Sequence, residues 1–116
     1  MILKNLSRNK ILTLDLKICT SISDSSLGLL NPKNPRSLLF KTRFGLHTFG
    51  LKQTIDVLVL DGENKVVMAQ ENLQPNRLFF WNPLFDRVIE LPKETLKQTK
   101  TVIGDQLELS QETFRT

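Results

Sequence analysis

The sequence is poor in the residue types that most often build metal sites and nucleophilic sites. Among its 116 residues are one cysteine, one histidine, one tryptophan and no tyrosine. A lone cysteine, Cys19, excludes an intrachain disulfide and a cysteine-based metal site, and it fits a reducing compartment. We interpret Cys19 as a small buried residue rather than a nucleophile, because His47 is its only possible histidine partner.

Long hydrophobic runs are also missing. Asp15 and Lys17 interrupt the apolar N-terminal stretch, so it lacks the continuous core of a secretory signal peptide. No stretch approaches the roughly 18 apolar residues of a membrane span. We therefore expect a soluble, cytoplasmic protein that makes no membrane contact.

The charge is mildly basic, at +4 from 16 basic and 12 acidic residues. The basic residues are scattered along the chain, which favours a solvated surface over a nucleic-acid footprint. The length fits one domain. We predict a flexible arm at residues 1–9, a single β-rich domain at 10–110 and a frayed tail at 111–116.

Alternating apolar residues predict several short strands. From residue 10 to residue 18 the period is two, which places Leu14, Leu16 and Ile18 on a core face. Residues 37–41, 87–91 and 106–109 have the composition of further strands. Residues 55–60 are apolar on both faces, which predicts a strand that is central in its sheet and covered on both sides. The Asp61-Gly62 pair predicts a hairpin that returns through residues 66–69.

Two segments predict helices. Residues 21–30 have a capping serine or aspartate followed by leucines, and a second helix is expected to open at Pro92 and run to Thr99. Six or seven strands with two short helices predict a mainly β fold, a compact antiparallel β sandwich or barrel.

Three segments resemble one known family. They are HTFGLKQTIDVLVLD at residues 47–61, SSLGLL at 25–30, and VIELPKETLKQTKTVIGDQLEL at 88–109. Their order and spacing are similar to those of the Domain of Unknown Function 192 family, also called UPF0127, across about residues 11–109. The resemblance implies a compact, mostly β domain with no settled biochemical activity.

The best candidate for a functional site is the segment at residues 44–56. Within ten residues it brings together His47, Thr48, Lys52 and Asp56 around a glycine, and Trp81 is expected at the rim. We predict a monomeric, non-catalytic module for a small polar ligand or a protein partner. No cofactor and no metal ion is predicted.

Alternative interpretations remain open for each of these residues. A small hydrolase-like enzyme would use His47 as a base oriented by Asp56 or Asp86, whereas a structural His47 would sit at a strand edge. Asp56 inside an apolar strand needs partners. It would be a ligand carboxylate, an anchor for the loop, or the partner of Lys52 in an ion pair.

Two further alternatives concern aromatic and nucleic-acid contacts. Residues 79–81 are either a stacking platform or a core element with Trp81 at its edge. Residues 90–109 also resemble the strand–helix–strand unit of swapped-hairpin transcription regulators. We rank DNA binding behind both other functions, because the basic residues are dispersed.

Overall fold

The computed structural model describes residues 1–19, 37–43 and 45–111. Within these ranges the chain forms ten strands and one helix. The strands make three sheets of five, three and two strands.

The five-stranded sheet is the middle layer. Its strands, in spatial order, are β3 (Leu16–Ile18), β4 (Ser37–Lys41), β9 (Arg87–Pro92), β6 (Ile55–Leu60) and β7 (Val66–Leu73). Neighbours pair antiparallel except β3 and β4, which are parallel. β6 is therefore an interior strand, and all six of its residues are buried. This confirms its predicted burial on both faces, although the middle position belongs to β9.

Two smaller sheets flank this layer. The three-stranded sheet has the order β10 (Leu107–Ser110), β1 (Ile2–Asn5) and β2 (Lys10–Thr13). The two-stranded ribbon pairs β5 (Leu46–His47) with β8 (Leu78–Phe79). The helix α1 spans Thr95–Thr99 and buries Leu96 and Thr99.

The five-stranded sheet separates two hydrophobic cores because its side chains alternate between its faces. The first core joins it to the three-stranded sheet and α1, and contains Leu3, Leu12, Leu16, Leu58, Leu60, Val66, Ile89, Leu91, Leu96 and Leu107. The second core lies on the opposite face and contains Cys19, Leu38, Phe40, Ile55, Val57, Val59, Leu73, Trp81 and Val88. Leu46 and Phe79 of the ribbon pack against the second core.

The mainly β fold predicted from the sequence is confirmed. The architecture is a layered sandwich rather than a closed barrel, since the strands form separate sheets with free edges in the described part. The strands expected at residues 37–41, 55–60 and 87–91 are all present. The helix expected at residues 21–30 lies outside the described residues, as does all but the first residue of the tail.

The predicted hairpin forms between β6 and β7, with Leu60 opposite Val66. Its turn geometry depends on Asp61 and Asn64 rather than on Gly62. The Asp61 carboxylate accepts the amides of Glu63 and Lys65, each at 2.9 Å, and Asn64 adopts the left-handed conformation at φ 65°. The Lys65 amide, followed by the weaker contributions of Glu63 and of nearby positive charges, holds the pKa of Asp61 below its usual value against partial burial.

The predicted N-terminal arm is wrong. Residues 2–5 form β1, the central strand of the three-stranded sheet, and Leu3 is fully buried in the first core. Asn5 is equally buried, and its side chain donates to Thr101 at 3.0 Å and to Asp105 at 2.9 Å. The sequence does not indicate this strand, because it has no clear period and one of its two neighbours, β10, lies about 100 residues away in the sequence.

The single strand predicted across residues 10–18 is also wrong. The chain leaves β2 at Thr13 and enters β3, in a different sheet, at Leu16. Leu12 and Leu16 are buried, but Leu14 and Ile18 are half exposed. The period of two therefore indicates strands at the correct residues. It does not indicate which side chains face the core, because the chain changes sheet between β2 and β3.

Pro92 does not open the second helix. It is the last residue of β9 and pairs with Ile55, where its missing amide ends the ladder. The chain then turns through Glu94, which has φ 74°, and α1 begins at Thr95.

Candidate functional site

Thr48 fastens the loop that follows the ribbon strand β5. Its side chain is fully buried, donates to the Gln74 carbonyl at 2.7 Å and accepts the Arg77 amide at 2.8 Å. The Thr48 amide donates to the Arg77 carbonyl at 2.9 Å, and its carbonyl accepts the Asn76 amide at 3.1 Å. The Thr48 hydroxyl therefore has a structural role, because protein groups occupy it and it is buried.

His47 lies on the outer face of the ribbon, opposite Leu78. The imidazole is exposed, accepts the Phe49 amide at Nδ1 over 3.3 Å, and stacks on the Phe49 ring with centroids 5.2 Å apart. Its neighbour Leu46 is the residue that points into the second core. His47 is thus a surface residue on the side away from the five-stranded sheet.

Asp56 is a fully buried carboxylate with two backbone partners. One oxygen accepts the Asn72 amide at 3.0 Å, and the other accepts the Leu96 amide at 2.9 Å. Leu96 is the second residue of α1, whose own N-cap residue Glu94 supplies no capping side chain. Asp56 therefore caps the helix from the neighbouring strand, a use of a carboxylate that free helix amides favour.

Lys52 is exposed in the loop before β6 and forms no ion pair with Asp56 in the described part of the chain. The two residues do not share a strand face, because β6 begins only at Ile55. Asp86, the other carboxylate considered for His47, pairs with Arg43 at 3.5 Å.

Trp81 belongs to the second core rather than to a rim. Its side chain is buried, donates from Nε1 to the Phe85 carbonyl at 2.8 Å, and lies 5.7 Å from the Phe79 ring. The exposed aromatic residue of this segment is Phe80, which packs its ring edge over Gly45. The close approach requires a glycine, since a Cβ at Gly45 would lie 2.6 Å from the Phe80 ring.

The five residues predicted as a site therefore do not converge. Thr48, Asp56 and Trp81 have structural contacts, whereas His47 and Lys52 are on the surface. His47 and Asp56 share no hydrogen bond, and both Asp56 oxygens are occupied by backbone amides. The structure does not provide the base and orienting carboxylate of a hydrolase-like site at these positions.

A different residue, Glu90, has the properties of a binding group. It occupies β9, the middle strand, with Leu38 on one side and Val57 on the other. Both neighbours are fully buried, and Glu90 itself is only 7% exposed. Alternation along the strand directs it to the same face as Val88, which belongs to the second core.

The Glu90 carboxyl group has no hydrogen-bond or charge partner among the described residues. Burial alone raises its pKa to about 8. The residue as a whole keeps 7% of its surface exposed to solvent. A nearly buried carboxyl group that has aliphatic neighbours and no partner is the arrangement expected of a ligand-binding or reactive group. We call Leu38, Val57, Val88, Glu90 and Pro92 the Glu90 site.

The sequence contained a signal for Glu90. It stands between Ile89 and Leu91 in an apolar strand, as Asp56 does between Ile55 and Val57. The argument that a strand-embedded carboxylate needs partners applies equally to both. What the sequence alone did not reveal is which of the two carboxylates would find partners.

A second polar cluster connects residues near the two ends of the described chain, and its central carboxylate has several hydrogen-bond partners. Asp105 accepts the side chains of Asn5 and Arg8 and the Val102 amide, at 2.9, 3.2 and 3.1 Å. Burial raises the pKa of Asp105, but the hydrogen bonds of Asn5, Val102 and Arg8 outweigh it and lower the pKa below its usual value. This cluster fixes β1 against the loop before β10.

The described residues contain neither a metal-binding cluster of side chains nor a membrane-spanning helix. No three histidine, cysteine, aspartate or glutamate side chains in these ranges are grouped so as to hold a metal ion. In this part of the chain, no helix is long and apolar enough to cross a membrane.

Comparison with known proteins supports the fold. No protein-family model and no curated protein sequence matches the chain. The fold is similar to that of a candidate transcription regulator from Sinorhizobium meliloti 1021, with a TM-score of 0.70 and 19% identity over 92% of this chain and 89% of the other. It is also similar to a protein of unknown function from Novosphingobium aromaticivorans DSM 12444, with a TM-score of 0.74 and 11% identity over 93% and 82%. At these identities the likeness establishes a shared fold.

Proposed function

We propose that this chain is a non-catalytic, single-domain binding module that holds a small polar ligand at the Glu90 site. The observation that carries the proposal is the buried carboxyl group of Glu90, which has no hydrogen-bond or charge partner in the described residues, while 7% of the residue surface stays exposed. An unpartnered buried carboxyl group is costly for the fold, and a ligand would supply the missing hydrogen bond.

The contrast with other buried polar side chains supports a binding role. Asn5, Thr48, Asp56 and Asp105 each have at least two hydrogen bonds to the protein. These bonds compensate for the loss of water around them. Glu90 stands in the centre of the five-stranded sheet without such compensation, so stability does not account for a carboxyl group at this position.

The alternative of a small enzyme using His47 and Asp56 has less support. Asp56 is committed to two backbone amides, and His47 lies on the outer face of the ribbon. A general base and its orienting carboxylate need a shared hydrogen bond, which these residues lack. Nucleic-acid binding also has less support, because the basic residues are dispersed along the sequence. The Sinorhizobium protein is described as a candidate transcription regulator, and that description applies to that protein alone.

The test is mapping of ligand contacts by amide chemical shifts in uniformly ¹⁵N-labelled protein. A library of small polar molecules and a small-molecule extract of cells are each added to the wild type, to Glu90→Leu and to Glu71→Gln. Glu71 is an exposed glutamate on β7 and serves as the matched control. We expect saturable shifts at Leu38, Val57 and Glu90 in the wild type and the control, and none in Glu90→Leu.

Two outcomes would contradict the proposal. One is that no compound shifts the amides of the Glu90 site. The other is that binding is confined to the outer face of the ribbon, where Phe49, Leu78 and Phe80 are more than half exposed. The second result would favour the alternative of a protein partner at that face.

We also propose a wider assignment that follows from the sequence. The three motifs at residues 25–30, 47–61 and 88–109 support membership of the Domain of Unknown Function 192 family. The single cysteine and the mixed surface charge support a cytoplasmic, monomeric protein. Size-exclusion chromatography with light scattering tests the monomer, and a tagged copy in fractionated cells tests the location.

A further inference from the structure

The surroundings of Glu90 restrict the chemistry of what binds there. Across the sheet its neighbours are Leu38 and Val57, and along β9 the residues on the same face are Val88 and Pro92. None of these side chains donates or accepts a hydrogen bond. Among these described strand neighbours, a ligand would meet one carboxyl group and otherwise hydrocarbon.

Charged groups are distant from this carboxyl group. Lys17 is in register with Leu38 on β3, so it shares this face and lies two strand spacings from Glu90, roughly 10 Å between Cα atoms. Lys17 is exposed. On the covering ribbon His47 points outward, and Lys52 is exposed in the following loop. No cation in the described residues therefore neutralises Glu90.

Three classes of ligand can be compared at such a position. A cationic amine would require an ionised Glu90 and a desolvated ammonium group, of which only one N–H would find an acceptor. A carboxylate ligand would bring a second acid against the first with no cation between them. An uncharged carbonyl compound would accept one hydrogen bond from the carboxylic acid and place its carbon skeleton on the apolar neighbours.

We infer that the small polar ligand of the Glu90 site is an uncharged carbonyl compound, whose carbonyl oxygen accepts a hydrogen bond from the protonated Glu90 carboxyl group. This inference rests on the proposed function and specifies its ligand class. The raised pKa of Glu90, about 8, agrees with a carboxyl group that is protonated at neutral pH.

The test uses three probes with the same ring and different polar groups: cyclopentanone, cyclopentylamine and cyclopentanecarboxylate. Amide shifts of Leu38, Val57 and Glu90 are followed during titration at pH 6 and pH 9. We expect the ketone to bind more tightly than either charged probe at pH 6. Its affinity should fall roughly tenfold at pH 9, where about a tenth of the Glu90 carboxyl groups keep their proton.

Variants separate hydrogen-bond donation from shape. Glu90→Gln keeps a donor without a titratable proton, so ketone binding should stay within about threefold of the wild type and lose its pH dependence. Glu90→Leu removes the donor and should weaken binding at least about tenfold. The control Glu71→Gln should bind as the wild type does at both pH values.

The outcomes distinguish this inference from the proposed function. Tighter binding of the amine, or ketone affinity that rises with pH, overturns the ligand class and leaves binding at Glu90 in place. Equal ketone binding by Glu90→Leu and the wild type overturns the role of Glu90 as donor. If none of the three probes shifts the Glu90 site, the inference fails, and the library experiment then decides whether the proposed function fails with it.

Discussion

Asp56 and Glu90 show how the position of a carboxyl group in a sheet decides its role. Both lie in interior strands of the five-stranded sheet, on opposite faces. On the face of Asp56 the bulged strand β7 and the start of α1 each present a free amide. On the face of Glu90 the adjacent strands present aliphatic side chains. The first carboxyl group therefore stabilises the fold, and the second is available to a ligand.

We expect Asp56→Ala to lower the free energy of unfolding by about 2–4 kcal/mol, because two backbone amides lose a charged acceptor and one of them is buried. Exchange of the Leu96 amide should accelerate, since that residue would lose its acceptor. Chemical denaturation and hydrogen exchange measure the two effects. Asp15→Ala, at an exposed position, is the control and should change stability by less than about 0.5 kcal/mol. A stable Asp56→Ala protein would show that the anchor is dispensable.

Glu90 should make the protein less stable as the pH rises through the neutral range. Its pKa is about 8 in the folded chain and 4.5 in the absence of the fold. Between these values the folded state binds more protons than the unfolded state, so the free energy of unfolding falls with increasing pH. The stabilising contribution is complete below the lower value and is lost as the pH passes about 8. Asp61 and Asp105, whose pKa values are lowered, act only in the acid range.

The measurement is urea denaturation at pH 5, 6, 7 and 8. We expect the wild type to lose at least about 1 kcal/mol across this range. Glu90→Gln should remove most of the loss and should be the more stable protein at pH 8. Glu71→Gln should retain the wild-type slope. Parallel pH profiles for wild type and Glu90→Gln would show that Glu90 titrates normally.

At the residue scale the sequence predicted chemistry better than location. It indicated that a carboxylate inside an apolar strand needs partners, and Asp56 has them. It did not indicate that the partners would come from residues 72 and 96, because such distant contacts depend on the assembled sheet. The burial of Trp81 also depends on the assembled second core, although the Phe85 carbonyl that accepts its indole N–H is only four residues away.

At the element scale, local sequence patterns predicted strands correctly where the whole apolar run lies in one sheet. The run at residues 55–60 and the following turn were located correctly because apolar alternation and turn chemistry act within a few residues. Local patterns do not indicate the strand at residues 2–5, because two apolar residues are followed by two polar ones without alternation and the strand gains stability only from β10 and β2. Pro92 was assigned to a helix because the same residue type ends strands and opens helices.

Three glycines provide a graded test of the loops that position these elements. Gly62 has no neighbour that an added Cβ would contact, and its φ is not in the left-handed region. Gly104 has equally open space but φ 96°, and Gly45 combines φ 95° with a Cβ position only 2.7 Å from the Phe79 carbonyl oxygen. We expect Gly62→Ala to leave stability unchanged or raise it by up to about 1 kcal/mol. Gly104→Ala should cost about 1 kcal/mol and Gly45→Ala at least about 2 kcal/mol. Thermal denaturation of the three proteins checks this order, and a well-tolerated Gly45→Ala would refute the close packing of Phe80.

At the scale of the whole molecule one sheet serves both cores. Leu58 and Leu60 of β6 face the first core, while Val57 and Val59 of the same strand face the second. A substitution on one face of this sheet therefore also affects the other core, because side chains of both cores are attached to the same backbone. The sequence predicted a sandwich or barrel from the number of strands, but not the division into a three-stranded sheet on one face and a ribbon on the other. That division is set by pairings such as β1 with β10, which no local pattern records.

This shared sheet predicts that the two cores unfold together. Trp81 is the single tryptophan and lies in the second core, so its fluorescence reports that side. Leu3→Ala empties space in the first core, at a fully buried position on β1, and should destabilise the protein by about 2–5 kcal/mol. If folding is a single transition, the urea midpoint seen by Trp81 fluorescence should shift as much as the midpoint seen by circular dichroism.

Leu6→Ala, at a position that is 46% exposed, is the control and should move both midpoints little. A Trp81 midpoint that stays at the wild-type value while circular dichroism reports a loss of strands would mean that the layers unfold separately, and β1 would then be a dispensable addition to the Glu90 side of the fold.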